Sequence, residues 1–202
     1  KSEHRIRRNM THSHSNPNIE TPKHLKEIAH ISDDNFNIPP IHHNERPITR
    51  FGSRGIVLND NDEIAIIHKK AKNEYKLPGG GIDSGEGPRE AFRRECREEL
   101  GCSVIITNEL GIAIEYKSQE NFQQVSFVYE AKVTGQPYRN SLTYKETSEG
   151  AECVWLQKIE ALKRIRGSLN NLKASSYDSV YRTKFMVLRD AQILEHYIKT
   201  TK

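Results

Sequence analysis

Long apolar runs are missing from this chain of 202 residues. The longest, such as Val125–Tyr129, are broken by a polar residue and fall far short of the roughly 20 residues of a membrane-spanning helix. A chain that crosses a membrane as a helix is therefore not expected. No charged stretch followed by an apolar one opens the sequence, which begins with Lys1, so a cytoplasmic protein is expected rather than a secreted one. Cysteine is scarce. Cys96, Cys102 and Cys153 are odd in number, form no C-x-x-C pair and have no ligand spacing with histidine. A disulfide framework and a structural zinc site are both disfavoured, and reduced, mostly buried cysteines are expected. Neither charge sign is in large excess. Lys and Arg number 31 against 27 Asp and Glu, a net charge of +4. That balance suits an anionic small substrate and is too weak to argue for nucleic acid as a partner.

What is present divides the chain in two. Residues 1–46 hold seven of the nine histidines, few large apolar residues and the breaks Asn16-Pro17, Pro39-Pro40 and Arg46-Pro47. They read as an N-terminal arm with one short helix, capped by Thr21, with Pro22 at its first position and Leu25, Ile28 and Ala29 on one face. Such an arm would pack on the main domain or across a homodimer. His12 and His14 are a weak candidate metal tract. Residues 47–202 read as the main domain. Strands are expected at Gly55–Leu58 and Ile64–His68, joined by the polar turn Asn59–Asp62, and at Glu74–Leu77, Ser103–Ile106, Gly111–Tyr116, Gln123–Lys132 and Ala151–Leu156. Helices are expected over Pro88–Leu100, with Gly101 just past the end, near Lys158–Ile165, and over Tyr181–Thr200. Gly135–Pro137 reads as a turn and Gly167–Ser179 as a loop. This mixture predicts an α+β or mixed α/β sandwich.

The chemistry concentrates in LPGGGIDSGEGPREAFRRECREELGC, Leu77–Cys102. A glycine run between a strand and a helix lets backbone approach an anion, and the helix N-terminus adds partial positive charge. Behind it, Glu95, Glu98 and Glu99 stand at i, i+3 and i+4, which puts three carboxylates on one face, while Phe92, Cys96 and Leu100 lie on the core side. Crowded carboxylates repel one another. A hard divalent ion such as Mg²⁺ or Mn²⁺ would turn that repulsion into binding, whereas a plain solvated helix with Glu–Arg pairs is the simpler alternative.

The spacing resembles the Nudix box, G-x5-E-x7-R-E-U-x-E-E-x-G-U with U a bulky apolar residue. Gly80, Glu86, Arg94, Glu95, Glu98, Glu99 and Gly101 fill its fixed positions, and only the two U positions depart, both being cysteine (Cys96 and Cys102). The resemblance spans about Ile48 to Thr200 and leaves the arm outside. It implies a Nudix-type α/β/α sandwich with a mixed sheet, plus an N-terminal extension. It also implies hydrolysis of the pyrophosphate linkage in a nucleoside diphosphate derivative, with Mg²⁺ as cofactor and Mn²⁺ as the alternative. By the same resemblance, the carbonyl of Gly79 and the carboxylates of Glu95, Glu98 and Glu99 hold the metal. Arg94 orients those carboxylates, and Glu86 ties the loop to the helix. The general base is Glu95 or a later-loop glutamate, for which Glu146, Glu149 and Glu152 are candidates.

Substrate identity is less legible. No proline follows the box near Tyr116 and Lys117, where the ADP-ribose subgroup often shows one, and no coenzyme A signature is visible. Nucleoside triphosphates, ADP-ribose-like compounds and dinucleoside polyphosphates all stay open, with Phe51, Tyr75, Phe122 or Phe127 available to stack on a base. Lys69, Lys70, Lys72 and Lys76 lie around the glycine loop, where they could draw in polyphosphate or form a solvated strand edge. The alternative class is a Nudix-fold module that binds nucleotide or RNA without turnover. The basic stretch Gln157–Lys184, net +5, supports it, and the intact box opposes it.

Overall fold

The computed structural model describes residues 25–135 and 140–201. Over these residues a mixed eight-stranded sheet lies between helices. Its strands are β1 (Glu27–Ile31), β2 (Ile48–Leu58), β3 (Ile64–Lys69), β4 (Glu74–Lys76), β5 (Gly79–Gly81), β6 (Ser103–Lys117), β7 (Phe122–Thr134) and β8 (Ala151–Leu156). The helices are α1 (Pro88–Glu95), α2 (Tyr144–Ser148), α3 (Lys158–Ser168) and α4 (Val180–Thr200). The strand order is β1-β6-β7-β2-β3-β4, with β5 also on β2 and β8 also on β3. The β1–β6 and β2–β7 pairs are parallel and the other pairs antiparallel, which makes the sheet mixed as expected.

Successive strand residues face opposite ways, and here both faces are covered. Ile56, Leu58, Ile64 and Ile66 pack with Phe185, Ala191 and Leu194 of α4 and Ile165 of α3. Their neighbours Val57 and Ala65 pack with Phe92 of α1, Cys96, Cys102, Val104, Phe127 and Tyr129 on the other face. That two-sided burial is why the central strands read as near-continuous apolar runs. The β2–β3 turn closes through Asn59, whose Oδ1 accepts the amides of Asn61 and Glu63.

Three expectations are corrected. The arm's short helix is strand β1 over Glu27–Ile31, with Ala29 and Ile31 buried and His30 outward. The reason lies across the sheet. Gly111 has φ +139°, and a Cβ there would stand 2.2 Å from the carbonyl oxygen of Lys26. Only a bare backbone lets the segment come close enough for the Ile112 amide to donate to Lys26 at 2.9 Å. Thr21, Pro22, His12 and His14 lie outside the described residues. Second, Ser103–Ile106 and Gly111–Tyr116 are one strand, β6, carried through by register shifts near Ile106–Asn108 and Glu109–Gly111. Third, the helix from Pro88 is α-helical only to Glu95 and continues as a π-turn over Cys96–Leu100, ended by Gly101 at φ 64°.

After β1, the chain is tied to the rest of the fold. Asp33, buried, accepts the Ser118 amide at 2.8 Å and the Tyr181 hydroxyl at 2.9 Å. The Ile41 amide donates to Ser118 Oγ at 2.8 Å, and His43 Nε2 lies 2.6 Å from the Ser118 carbonyl. No helix among the described residues is long and apolar enough to cross a membrane.

Candidate active site

The glycine run forms β5 and lies antiparallel on Gly52–Arg54 of β2. Glycine is required for contact reasons. A Cβ on Gly79, whose φ is +134°, would meet the Ser53 carbonyl at 2.2 Å, and one on Gly80 would meet Glu95 Oε1 at 2.3 Å. The loop backbone therefore rests directly on the Glu95 carboxylate at the end of the helix. Helix α1 starts with Pro88 at its first position, and Glu90 folds back to accept the Gly87 amide at 2.8 Å. Ser53 Oγ donates to the Pro88 carbonyl at 2.7 Å, fixing the helix start on β2.

Arg94 is the hub. It grips Glu86 with two bonds, Nε to Oε2 at 3.1 Å and Nη2 to Oε1 at 2.7 Å. Nη1 donates to Glu95 Oε1 at 2.9 Å and to Glu98 Oε2 at 3.0 Å, and Nη2 also reaches the Gly81 carbonyl at 2.9 Å. A planar guanidinium alone offers donors in this many fixed directions. The Glu86 bond is the main reason Arg94 is held charged. Burial works against ionisation of Glu86, but its bonds from Arg94 and the Asp83 amide outweigh that and keep it below the usual carboxylate range. Glu86 thus ties the loop to the helix.

Deeper in, Glu95 and Glu99 are both buried and close enough for their charges to act on each other. Burial, then the charge of Glu99, pushes Glu95 up to about 7. Glu99 is only 1% exposed, and burial raises it too. Both its oxygens are taken: Oε1 accepts from Lys76 Nζ at 2.7 Å and Oε2 from the Gly79 amide at 2.8 Å. The same Lys76 Nζ donates to the Gly79 carbonyl at 3.1 Å. Burial opposes the charge on Lys76, but Glu99 outweighs it and holds the ammonium above the ordinary lysine range. Among the described residues, no three His, Cys, Asp or Glu side chains converge as a ready cation cage. Gly79, Glu95, Glu98 and Glu99 are neighbours, with Arg94 and Lys76 supplying the positive charge between them.

The three later glutamates separate clearly. Glu149 is buried, with Lys69 on one oxygen at 2.8 Å and Ser175 on the other at 2.7 Å. Glu152 pairs with Lys70 at 2.6 Å and His68 at 3.3 Å on the β3–β8 face. Glu146 is the one beside the site. Its Oε2 accepts the Thr143 amide and hydroxyl, both at 2.8 Å; burial would raise it, but these bonds and then Lys76 outweigh burial and hold it below the usual carboxylate range, while its own charge raises Glu99. The segment leading to α2 is anchored on the helix end, since the Ser141 amide donates to the Glu98 carbonyl at 2.9 Å.

The expected lysine fringe is corrected. Lys69, Lys72 and Lys76 are buried in ion pairs with Glu149, Glu74 and Glu99, and only Lys70 is exposed. The aromatic candidates also part company. Phe127 is buried under Phe51, Phe122 lies against Lys117, and Tyr75 stacks on His68 at 4.1 Å on the α3 side of the sheet. Behind the loop lies a network that the sequence reading missed. Asp190 of α4 accepts the Leu77 amide at 2.9 Å and Arg189 Nε at 2.8 Å, and Arg189 Nη1 donates to Glu115 at 2.7 Å. One signal did exist: Arg189 sits midway between Phe185 and Ile193, a charge on an apolar helical stripe.

The comparisons with known proteins agree with this geometry. The family described as NUDIX domain matches residues 49–176. A protein of Bacillus subtilis (strain 168) whose name proposes an 8-oxo-dGTP diphosphatase is 31% identical over 84 residues, 42% of this chain and 54% of its own length. The 8-oxo-dGTP diphosphatase of Escherichia coli (strain K12) is 43% identical over 51 residues, 23% of this chain and 40% of its own. The chain thus spans about half or less of the length of these relatives. A solved structure described as a NUDIX hydrolase from Nitrosomonas europaea has the same fold, with a TM-score of 0.54 at 16% identity over 76% of this chain and 91% of that one.

Proposed function

Because the chain belongs to the NUDIX domain family, we propose that it is a divalent-metal-dependent hydrolase that cleaves the pyrophosphate linkage of a nucleoside triphosphate. The observation that carries this reading is the Arg94 hub, which gathers Glu86, Glu95, Glu98 and the Gly81 carbonyl around a glycine loop lying on Glu95. The names of the relatives favour an oxidised purine nucleoside triphosphate within that class.

The chemistry of the donor set, rather than its spacing while Arg94 and Lys76 engage it, fits a hard divalent ion. The set is all oxygen, it includes two buried carboxylates whose charges oppose each other, and Gly80 leaves the space beside Glu95 that any side chain would fill. Glu95, Glu98, Glu99 and the Gly79 carbonyl would hold the ion. When bound, it supplies neutralisation of phosphate charge and polarises the phosphorus under attack. The chain's own residues do the rest. Arg94 fixes the Glu95 and Glu98 carboxylates in orientation, so that little reorganisation is left for the reaction itself. Glu86 locks Arg94 and the loop together. Glu146, on α2 at the edge of the carboxylate cluster, takes the proton of the attacking water. Glu149 and Glu152, both engaged elsewhere, hold the loop and the sheet edge.

A panel of nucleoside triphosphates, ADP-ribose and dinucleoside polyphosphates, assayed with Mg²⁺ for phosphate, pyrophosphate and monophosphate release, tests the proposal. Pyrophosphate and a monophosphate from a triphosphate substrate are expected. Binding without turnover of any member would favour a sensing module instead.

A further inference from the structure

We propose that the Lys76 ammonium holds the inner cation position of this site, between the Glu99 carboxylate and the Gly79 carbonyl, and that a divalent ion binds those two groups only by displacing it. This inference rests on the metal-dependent reading above. Lys76 Nζ lies 2.7 Å from Glu99 Oε1 and 3.1 Å from the Gly79 carbonyl, so one ammonium occupies two of the four proposed ligand groups at once. Both partners are removed from water, Lys76 being 8% and Glu99 1% exposed. A carboxylate this deep is costly unless a cation faces it, so the fold supplies one before any metal arrives. The nearby guanidinium groups are already committed, Arg94 being spread over Glu86, Glu95 and Glu98, and Arg54 being held by Asp190 and Ser126.

The backbone around Lys76 is fixed by its neighbours. The strand position is set by the Lys76–Ile67 pair of β4 and β3. The next amide, that of Leu77, is anchored on Asp190 at 2.9 Å, and Pro78 follows. Displacement therefore falls to the four-carbon stem, the most adaptable tether for a point charge among the side chains. A protein whose ligand groups are engaged by its own lysine binds metal more weakly than one whose groups are free, by the factor that displacement costs. Lys76 then sets the metal affinity of the site without touching substrate.

Titration of wild type and Lys76→Met with Mn²⁺ alone, followed by electron paramagnetic resonance and by calorimetry, tests this. Lys76→Met should bind Mn²⁺ at least tenfold more tightly, and Mn²⁺ should raise its melting temperature more than it raises that of the wild type. The added variant Lys76→Met/Glu99→Gln should lose the gain. Should Lys76→Met fold only when Mn²⁺ is present, that too supports the proposal. Equal affinity of wild type and Lys76→Met, within twofold, would overturn it while leaving the metal-dependent reading intact. Failure of both proteins to bind Mn²⁺ at millimolar concentration would instead bring down that reading and this inference with it. A second measurement needs no loss of charge. In ¹⁵N-lysine-labelled wild type, the Lys76 ammonium signal, assigned with Lys76→Arg, should shift on saturation with Mg²⁺. An unmoved signal with Mg²⁺ bound would contradict displacement.

Discussion

At the scale of single residues, Arg94 and the three later glutamates carry the sharpest tests. Arg94→Lys keeps the charge but has no fork to span Glu86, Glu95 and Glu98. Turnover should drop by at least about tenfold, roughly 1.4 kcal/mol in the barrier, and steady-state kinetics would show it in kcat. Glu146→Gln should likewise lower kcat at least about tenfold with an unchanged melting temperature. Glu149→Gln should do the reverse. It strands buried Lys69, at a cost of about 3 kcal/mol in urea unfolding, with smaller loss of activity. These contrasts show how legible the site was. Box spacing pointed to Arg94, Glu86 and the helix carboxylates, because helical geometry turns a spacing of three and four into one face. It could not rank Glu146, Glu149 and Glu152, because their roles depend on Lys69, Ser175 and Lys70, brought from distant strands and loops. Lys76 was visible as a charge near the loop. That it points inward at Glu99 depends on how β4 is set in the sheet.

Among the elements, α1 and β1 differ most from expectation, for opposite reasons. The π-turn Cys96–Leu100 is a local feature without a sequence signal of its own, since Phe92, Cys96 and Leu100 at spacings of four read equally as an α-helix running on to Leu100. It holds Glu99 buried, close enough for its charge to raise Glu95, while Gly101 still ends the helix as its position foretold. Strand β1 is a tertiary effect. Its Ala29 and Ile31 fit a strand as well as a helix, and the open edge at Gly111 decides between them. Removing residues 1–31 should therefore lower the melting temperature by several degrees relative to removing residues 1–24, because burial of Ala29 and Ile31 is lost at roughly 2 kcal/mol. Equal melting temperatures for the two truncations would show that β1 adds nothing to the sheet. Strands β3 and β7 were legible to within a residue or two, whereas β2 was legible only at its apolar end, Gly55–Leu58, because Thr49, Arg50, Ser53 and Arg54 break the apolar pattern of its first half.

For the molecule as a whole, the two cores on either face of the sheet are joined by buried charge. Arg189 and Asp190 of α4, Glu115 of β6 and Arg54 of β2 run from the back of the sheet to the Leu77 amide, at the root of the glycine loop. Arg189→Met leaves Glu115 and Asp190 short of a counter-charge and should cost about 3 kcal/mol by denaturant unfolding. Strong acid should weaken the fold at the Asp178 cluster. Burial would raise that carboxyl, but Lys145 and Lys72 outweigh burial and hold it at about 2, below its ordinary value of 3.8. A depressed carboxyl stabilises the fold above its unfolded value, and that stability is lost as pH falls from about 4 towards 2. Asp178→Asn should therefore flatten the stability curve across that window, read from urea midpoints at each pH. In the proposed function, the Arg94-organised carboxylates hydrolyse a nucleotide pyrophosphate with a divalent ion. Its most direct test is the rate of pyrophosphate release from 8-oxo-dGTP and dGTP by wild type and Glu98→Gln, each with Mg²⁺ and with chelator. Turnover by wild type with Mg²⁺ is expected, with none in chelator and a loss of at least about a hundredfold, roughly 2.7 kcal/mol, in Glu98→Gln despite an unchanged melting temperature. Turnover that survives chelator, or that Glu98→Gln leaves intact, would contradict it.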